Sequence, residues 1–135
     1  MKLLLDTHII LWTLLDSPQL SSGARKLILD PGNSIYYSVA SMWELAIKNF
    51  KSPEKCPYDE RTVSELCDKS GFHSLDISMP HIIGIRDLCI HSGLQPSNFD
   101  PFDRILISQA KSENMLLLSH DTNFSNYNEP CIIRV

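Results

Sequence analysis

The 135-residue sequence contains no Cys-x-x-Cys pair and no apolar run of membrane-spanning length, and each absence removes a class of protein. Its four cysteines, Cys56, Cys67, Cys89 and Cys131, are irregularly spaced, with no cysteine–histidine cluster at zinc-ligand spacing. They are expected to be buried, reduced thiols in a cytoplasmic protein. The apolar stretch Ile9 to Leu15 contains Thr13 and falls far short of the roughly 20 residues that cross a bilayer. An export signal is not expected either, because Asp6 and His8 interrupt "LLLDTHII". There is no internal repeat, low-complexity tract or long Gly/Ser/Pro linker, so residues 1–135 are expected to form one domain.

Basic residues are in short supply as well. Twelve Lys and Arg face sixteen Asp and Glu, a formal charge of −4 that argues against phosphate binding by the surface as a whole. The objection is local if four of the acids occupy one metal site, since the rest of the chain is then neutral. Lys48, Lys51, Lys55 and Arg61 form the one basic cluster, readable as a phosphate-binding face or as an ordinary solvated one. What is present is ordinary for a folded chain: 43% apolar and 21% charged residues exclude a disordered or fibrous protein.

Strand and helix signals alternate along the chain. Lys2 to Leu5 reads as a short apolar strand with a helix beginning at Ile9 to Leu15, and "SSGARKLILDPG" as a helix opened by Ser21 or Ser22 and stopped by Asp30-Pro31-Gly32. "SIYY" is a strand, followed by the helix "SVASMWELAIKNF" with Val39, Met42, Trp43, Ala46, Ile47 and Phe50 as its apolar positions. A helix over about Glu60 to Ser70 ends at Gly71, "HSLDI" is a third strand, and "PHIIGIRDLCIHS" reads as a helix from Pro80 to just before Gly93. "DPFDRILISQAKSEN" is a helix, "MLLLS" a buried strand and "CIIRV" a terminal strand. The pattern predicts an α/β protein, a three-layer α/β/α arrangement with a central parallel sheet of four to five strands flanked by helices. In such sheets ligands bind beyond the carboxyl ends of the strands, where the strand order switches.

Four acids fall at positions of that kind: Asp6 after the first strand, Glu44 near the start of the helix after the second, Asp103 in a first helical turn, and Asp121 after "MLLLSH". Each has a local alternative. Asp6 can cap the first helix, Ser41-Met42-Trp43-Glu44 has capping-box spacing, Asp100-Pro101-Phe102-Asp103 reads as N-cap, N1 and N3, and Asp121 can make an Asx-type turn. Their joint placement is what suggests chemistry. Carboxylates crowded at one sheet edge retain protons at neutral pH unless a cation balances them. Hard oxygen donors select Mg²⁺, with Mn²⁺ as a substitute. A pair of such ions about 4 Å apart activates water and stabilises the leaving oxygen in phosphodiester cleavage.

With these residues in view, the chain resembles the PIN-domain ribonucleases, and among them the VapC-type toxins of bacterial toxin–antitoxin pairs. "LLLDTHIILW" resembles the family's opening strand with its metal-binding Asp, and "SVASMWELAIK" its Ser-x-x-Ser-x-Trp-Glu helix; "DPFDRILISQA" and "LLLSHDTNFSNY" match the remaining signatures in order and spacing. The resemblance implies that Asp6, Glu44 and Asp103 are the central metal-binding acids and Asp121 a more variable fourth. Asp100 is assigned mainly to capping, Thr7 to positioning Asp6 or a metal-bound water, Ser38 or Ser41 to orienting Glu44, and Arg104 to pairing with an acid rather than with phosphate. It further implies a Mg²⁺-dependent endoribonuclease, an RNA substrate, a small cognate antitoxin and a homodimer. Where relatives often carry histidines before Asp-Pro-Phe-Asp-Arg, this sequence has Ser97-Asn98-Phe99, so no histidine role is assigned there. His8 is read as a packing or hydrogen-bonding residue, and Trp12 and Trp43 as core packing. The alternatives are a housekeeping PIN nuclease using the same acids, a receiver-like phospho-acceptor domain, which lacks its second acid after strand one and its late Lys here, and a non-catalytic binding module.

Overall fold

The apolar runs place the strands. Leu3, Leu4 and Leu5 have no exposed surface, and a segment buried on both faces belongs in the middle of a covered parallel sheet. The computed structural model describes residues 1–94 and 99–135. In it β1 (Lys2–Leu5) is followed by α1 (Thr7–Leu14), α2 (Ser22–Leu29), β2 (Ser34–Ser38), α3 (Val39–Lys51), α4 (Glu60–Lys69) and β3 (His73–Leu75). The chain continues through α5 (Met79–Gly84), α6 (Pro101–Ser112), β4 (Leu116–Ser119) and β5 (Ile132–Arg134). All strand pairs are parallel, in the order β3-β2-β1-β4-β5. The chain therefore builds outward from β1 to β3, crosses back, and lays β4 on the other side of β1. That reversal puts the switch point between β1 and β4.

Alternate side chains divide the core into two layers. Leu3, Leu5 and Leu118 face the side covered by α1, α2 and α4, packing on Ile9, Ile10, Ile28, Val63 and Cys67. Leu4 and Leu117 face α6, packing on Ile105, Leu106 and Ala110. The expected α/β/α layering holds, with five strands. Local chemistry sets the helix ends. Asp6, Ser21, Ser38, Asp59 and Asp100 each accept a hydrogen bond from a first-turn amide, and α4 is followed by Gly71 in the left-handed region, at φ +82°.

Three expectations need correction. The helix read from Pro80 to Gly93 is only α5, followed by a single 3-10 turn over Ile85–Asp87. Beyond it the backbone finds partners elsewhere: Cys89 donates to Glu129 Oε1 at 3.0 Å, Asn128 donates to the Cys89 carbonyl and His91 to that of Asn126. Once those groups pair with the 126–129 segment, no helical ladder is needed to satisfy them. Second, α3 buries Ala40, Ser41, Met42 and Leu45, while Trp43 is 61%, Phe50 92% and Ile47 44% exposed. The buried face is centred one position from the one that the bulkiest side chains suggest. Trp43 instead meets Phe102 edge-on, at 5.2 Å between ring centroids. Trp12 does pack against the core, half-buried. Third, the four thiols are free, but Cys67 alone is buried; Cys56 and Cys131 are half-buried and Cys89 is exposed.

Candidate metal and active site

The β1–β4 switch point sets the two strand-end acids side by side. In the parallel register Leu5 lies opposite Leu118, and the Asp6 amide continues the ladder by donating to the Leu118 carbonyl at 3.1 Å. The next pair is therefore Asp6 and Ser119. The Ser119 hydroxyl donates to Asp6 Oδ2 in a short hydrogen bond and accepts from the Asp121 amide at 3.0 Å, tying the ends of β1 and β4 together. The other Asp6 oxygen caps α1, accepting from the Ile9 amide at 2.9 Å. The capping alternative is thus true of one oxygen, and it fixes the carboxylate's direction.

Glu44 arrives from the second turn of α3. Its capping-box alternative fails, because the N-cap is Ser38, whose hydroxyl accepts from the Ala40 amide at 3.0 Å. Glu44 instead accepts from the Thr7 hydroxyl at 2.6 Å and from Lys48, one helical turn on, at 3.0 Å. Asp103 comes from the first turn of α6, below the N-cap Asp100, whose Oδ1 accepts from the Phe102 and Asp103 amides at 2.7 and 3.3 Å. Asp121 makes the expected Asx turn with the Asn123 amide at 2.9 Å. Asp6, Glu44, Asp100, Asp103 and Asp121 all line one polar cavity of about 90 Å³, together with Thr7, His8, Lys48, Leu106 and Asn123.

A model of the PIN domain matches residues 3–130, nearly the whole chain. The chain belongs to the PIN-domain family. PIN domains are nucleases, and the receiver-like alternative falls with this assignment. Among curated proteins none matches the chain. Solved structures that share the fold include the following three. A DNA-bound VapBC from Salmonella typhimurium is 19% identical with a TM-score of 0.68, covering 99% of this chain and 98% of that one. VapBC2 from Rickettsia felis, bound to a DNA fragment from its promoter, is 19% identical with a TM-score of 0.65, covering 100% and 98%. A toxin–antitoxin complex from Klebsiella pneumoniae is 20% identical with a TM-score of 0.60, covering 96% and 94%.

Crowding shows in the protonation of the PIN site. Burial, and then the charges of Asp100, Asp121, Glu44 and Asp6, push the Asp103 carboxyl up to about 7. Burial also raises Asp6, outweighing the opposing hydrogen bonds from Ser119 and the Ile9 amide. Partial burial pulls the Lys48 ammonium down, but the Glu44 hydrogen bond and charge more than reverse it, so it is held above its ordinary range. An all-oxygen donor set short of positive charge is what a hard divalent cation fits. Among the described residues no three acids are yet drawn together closely enough to hold an ion between them. Mg²⁺ does not require that, because it keeps several waters and is bound through one or two carboxylates.

One supporting assignment changes. Ser41 Oγ is buried with no hydrogen-bond partner among the described residues, so it does not orient Glu44; Thr7 does. Ser38, the other candidate, donates to Gln109 Oε1 at 2.6 Å and so joins the start of α3 to α6. Arg104 lies over the Phe99 ring, 5.3 Å from its centroid and beside the Tyr127 hydroxyl, and it is not part of the cavity lining. The Ser97-Asn98 stretch lies outside the described residues. His8 stacks on Trp12 at 5.9 Å, in keeping with a packing role, although its ring also borders the cavity.

Sequence reading missed Ser119 and the pairing of Lys48 with Glu44. Ser119 was detectable as a small hydroxyl one residue past an apolar strand that must pair with β1, and Lys48 from its spacing of four from Glu44 on one helix face.

Proposed function

We propose that this PIN domain is a metal-dependent endoribonuclease and the toxin of a toxin–antitoxin pair. The observation that carries the reading is the convergence of Asp6, Glu44, Asp103 and Asp121, from four separate elements, on one cavity at the sheet's switch point. These four would hold Mg²⁺, or Mn²⁺ in its place. Bound there, the cation supplies the positive charge that the acids lack, together with activation of water for phosphodiester hydrolysis.

The chain's own residues do the positioning. Ser119 and the Ile9 amide hold the two Asp6 oxygens in fixed directions. Thr7 does the same for one oxygen of Glu44, while Lys48 balances the other. Asp103, titrating near 7, gives up its proton readily once positive charge enters the pocket. Preorganised groups of this kind need little rearrangement when the reaction's charge develops.

The toxin assignment is supported by the fold shared with VapBC complexes and with a toxin–antitoxin complex. It implies an antitoxin partner, an RNA substrate and action in the cytoplasm. No helix among the described residues is long and apolar enough to cross a membrane. Homodimer formation is supported by an exposed apolar face on which Trp43 and Ile82 border one cavity of about 250 Å³ with Phe102.

Expression of the chain in cells should arrest growth, and the Asp6→Asn form should not. Sequencing RNA ends after brief induction should reveal new termini with the parent chain alone. Equal arrest by both forms would contradict the role given to Asp6.

A further inference from the structure

We infer that Cys89 and Cys131 form a reversible redox pair, closing to a disulfide when a peroxide oxidises the exposed Cys89 thiol. The pair lines a cavity at the amino end of β4, bordered by Met115 and Leu116, whereas the acid pocket lies beyond the carboxyl end of that strand. It therefore stands whether or not the acids cleave RNA.

The backbone brings the two cysteines to one place. Residues 89–91 run along 126–129: the Asn128 amide donates to the Cys89 carbonyl at 2.8 Å, Ile90 forms an antiparallel bridge with Tyr127, and the His91 amide donates to the Asn126 carbonyl at 3.0 Å. Glu129 to Ile132 then close a turn, with the Ile132 amide donating to the Glu129 carbonyl at 3.2 Å. Cys131 is fixed on β4, its carbonyl accepting from the Leu117 amide at 2.7 Å. Both cysteines line the one cavity, of about 570 Å³. Glu129 is their common neighbour. Its Oε1 accepts from the Cys89 amide at 3.0 Å and from Lys111 at 2.9 Å, the Cys89 thiol is within hydrogen-bonding reach of the same carboxylate, and its charge acts on the Cys131 thiol.

The surroundings divide the roles. The thiolate is the reactive form, and access decides which sulfur meets an oxidant first. Cys89 is exposed. Cys131 is half-buried, and burial, then the Glu129 charge, raise its thiol, so it stays protonated until a reactive sulfur is formed beside it. The chemistry balances with one peroxide. The Cys89 thiolate attacks a peroxide oxygen and the O–O bond breaks, giving a sulfenic acid and hydroxide, which takes up the thiol's proton as water. The Cys131 sulfur then attacks the sulfenic sulfur; the S–S bond forms, the S–O bond breaks, and the hydroxyl leaves with the Cys131 proton as a second water. The other two thiols serve as internal controls: Cys67 is buried in the layer beneath α1, and the Cys56 thiol donates to the Tyr58 carbonyl at 3.8 Å.

The test treats the purified full chain with equimolar hydrogen peroxide, blocks the remaining thiols and maps the peptides by mass spectrometry. The parent chain should lose two hydrogens and two of its four free thiols, with Cys89 joined to Cys131 in the same chain, and dithiothreitol should restore all four. Cys131→Ser should halt at the Cys89 sulfenic acid, captured by dimedone, and Cys89→Ser should keep its remaining thiols. Cys56→Ser should still close the bridge. The oxidised parent should melt roughly 5–10 °C above the reduced one, because the bridge closes a long loop, and neither Cys89→Ser nor Cys131→Ser should show that rise. Melts of the reduced variants check that they fold, and the peptide map of the parent chain decides the pairing if one does not. Oxygen added to Cys89 while the Cys131 thiol stays free would overturn the inference, as would a bridge to Cys56 or Cys67 or one between two chains.

Discussion

Asp103→Asn should lose RNA cleavage by about 10²–10³-fold and at the same time melt at a higher temperature than the parent chain at pH 8 in EDTA. The two effects have one cause. In the folded chain, burial first and the charges of Asp100, Asp121, Glu44 and Asp6 after it raise the Asp103 carboxyl from 3.8 to about 7. Between about pH 4 and pH 7 the folded chain keeps a proton that the unfolded chain has released, so stability falls as pH rises through that window. Above it the full penalty is present. Asparagine has no such proton, and its advantage at pH 8 should be about 1–2 kcal/mol. That is well below the value for a fully buried group, because water still reaches this one. Melts of both forms at pH 5 and pH 8 check the prediction: the gap should widen with pH. An Asn variant less stable than the parent at pH 8 would mean that the acids do not crowd one another. Stability gained as function is lost is expected at a site whose charges are arranged for a ligand.

Leu118→Ala should cost about 2–5 kcal/mol, a large part of a typical total of about 5–15, and lower the melting temperature by on the order of 10–15 °C. Leu118 has no exposed surface, sits opposite Leu5 in the sheet and packs in the layer beneath α1. Its carbonyl also accepts the Asp6 amide, and Ser119 follows it directly, so a cavity here loosens the strand ends that hold the site. Leu29→Ala, at a position 71% exposed, should stay within about 0.5 kcal/mol of the parent. Chemical denaturation of the three proteins checks the contrast. Similar midpoints for Leu118→Ala and Leu29→Ala would contradict the two-layer core.

What could be read before folding depended on how local its cause is. The strands Leu3–Leu5 and Leu116–Leu118 announce themselves because residues buried on both faces of a sheet must be apolar throughout. The four acids were legible because each follows a strand closely or lies in the first two turns of a helix, positions that a parallel α/β topology carries to one edge. The extent of "PHIIGIRDLCIHS" was not legible. What ends its helix is Glu129, 40 residues after the Cys89 amide that it accepts from, while Gly84 packs closely on α6. A Cβ on Gly84 would stand 2.8 Å from the Ser108 hydroxyl. The face of α3 was misjudged for a similar reason, since Trp43 and Phe50 are the bulkiest apolar residues on it, yet neighbouring elements cover Met42 and Leu45. The pairing of Ser119 with Asp6 follows from strand register, which becomes visible once β4 is known to lie beside β1.

The central claim is that the acids gathered at the β1–β4 switch point form one metal-dependent nuclease centre. The most direct measurement is cleavage of a labelled single-stranded RNA by the purified chain as Mg²⁺ is titrated from excess EDTA upward, with Asp6→Asn alongside. The account predicts no cleavage in EDTA, a saturable rise with Mg²⁺ for the parent chain and a flat response for Asp6→Asn. Cleavage that persists in EDTA, or that rises equally in both proteins, would contradict it.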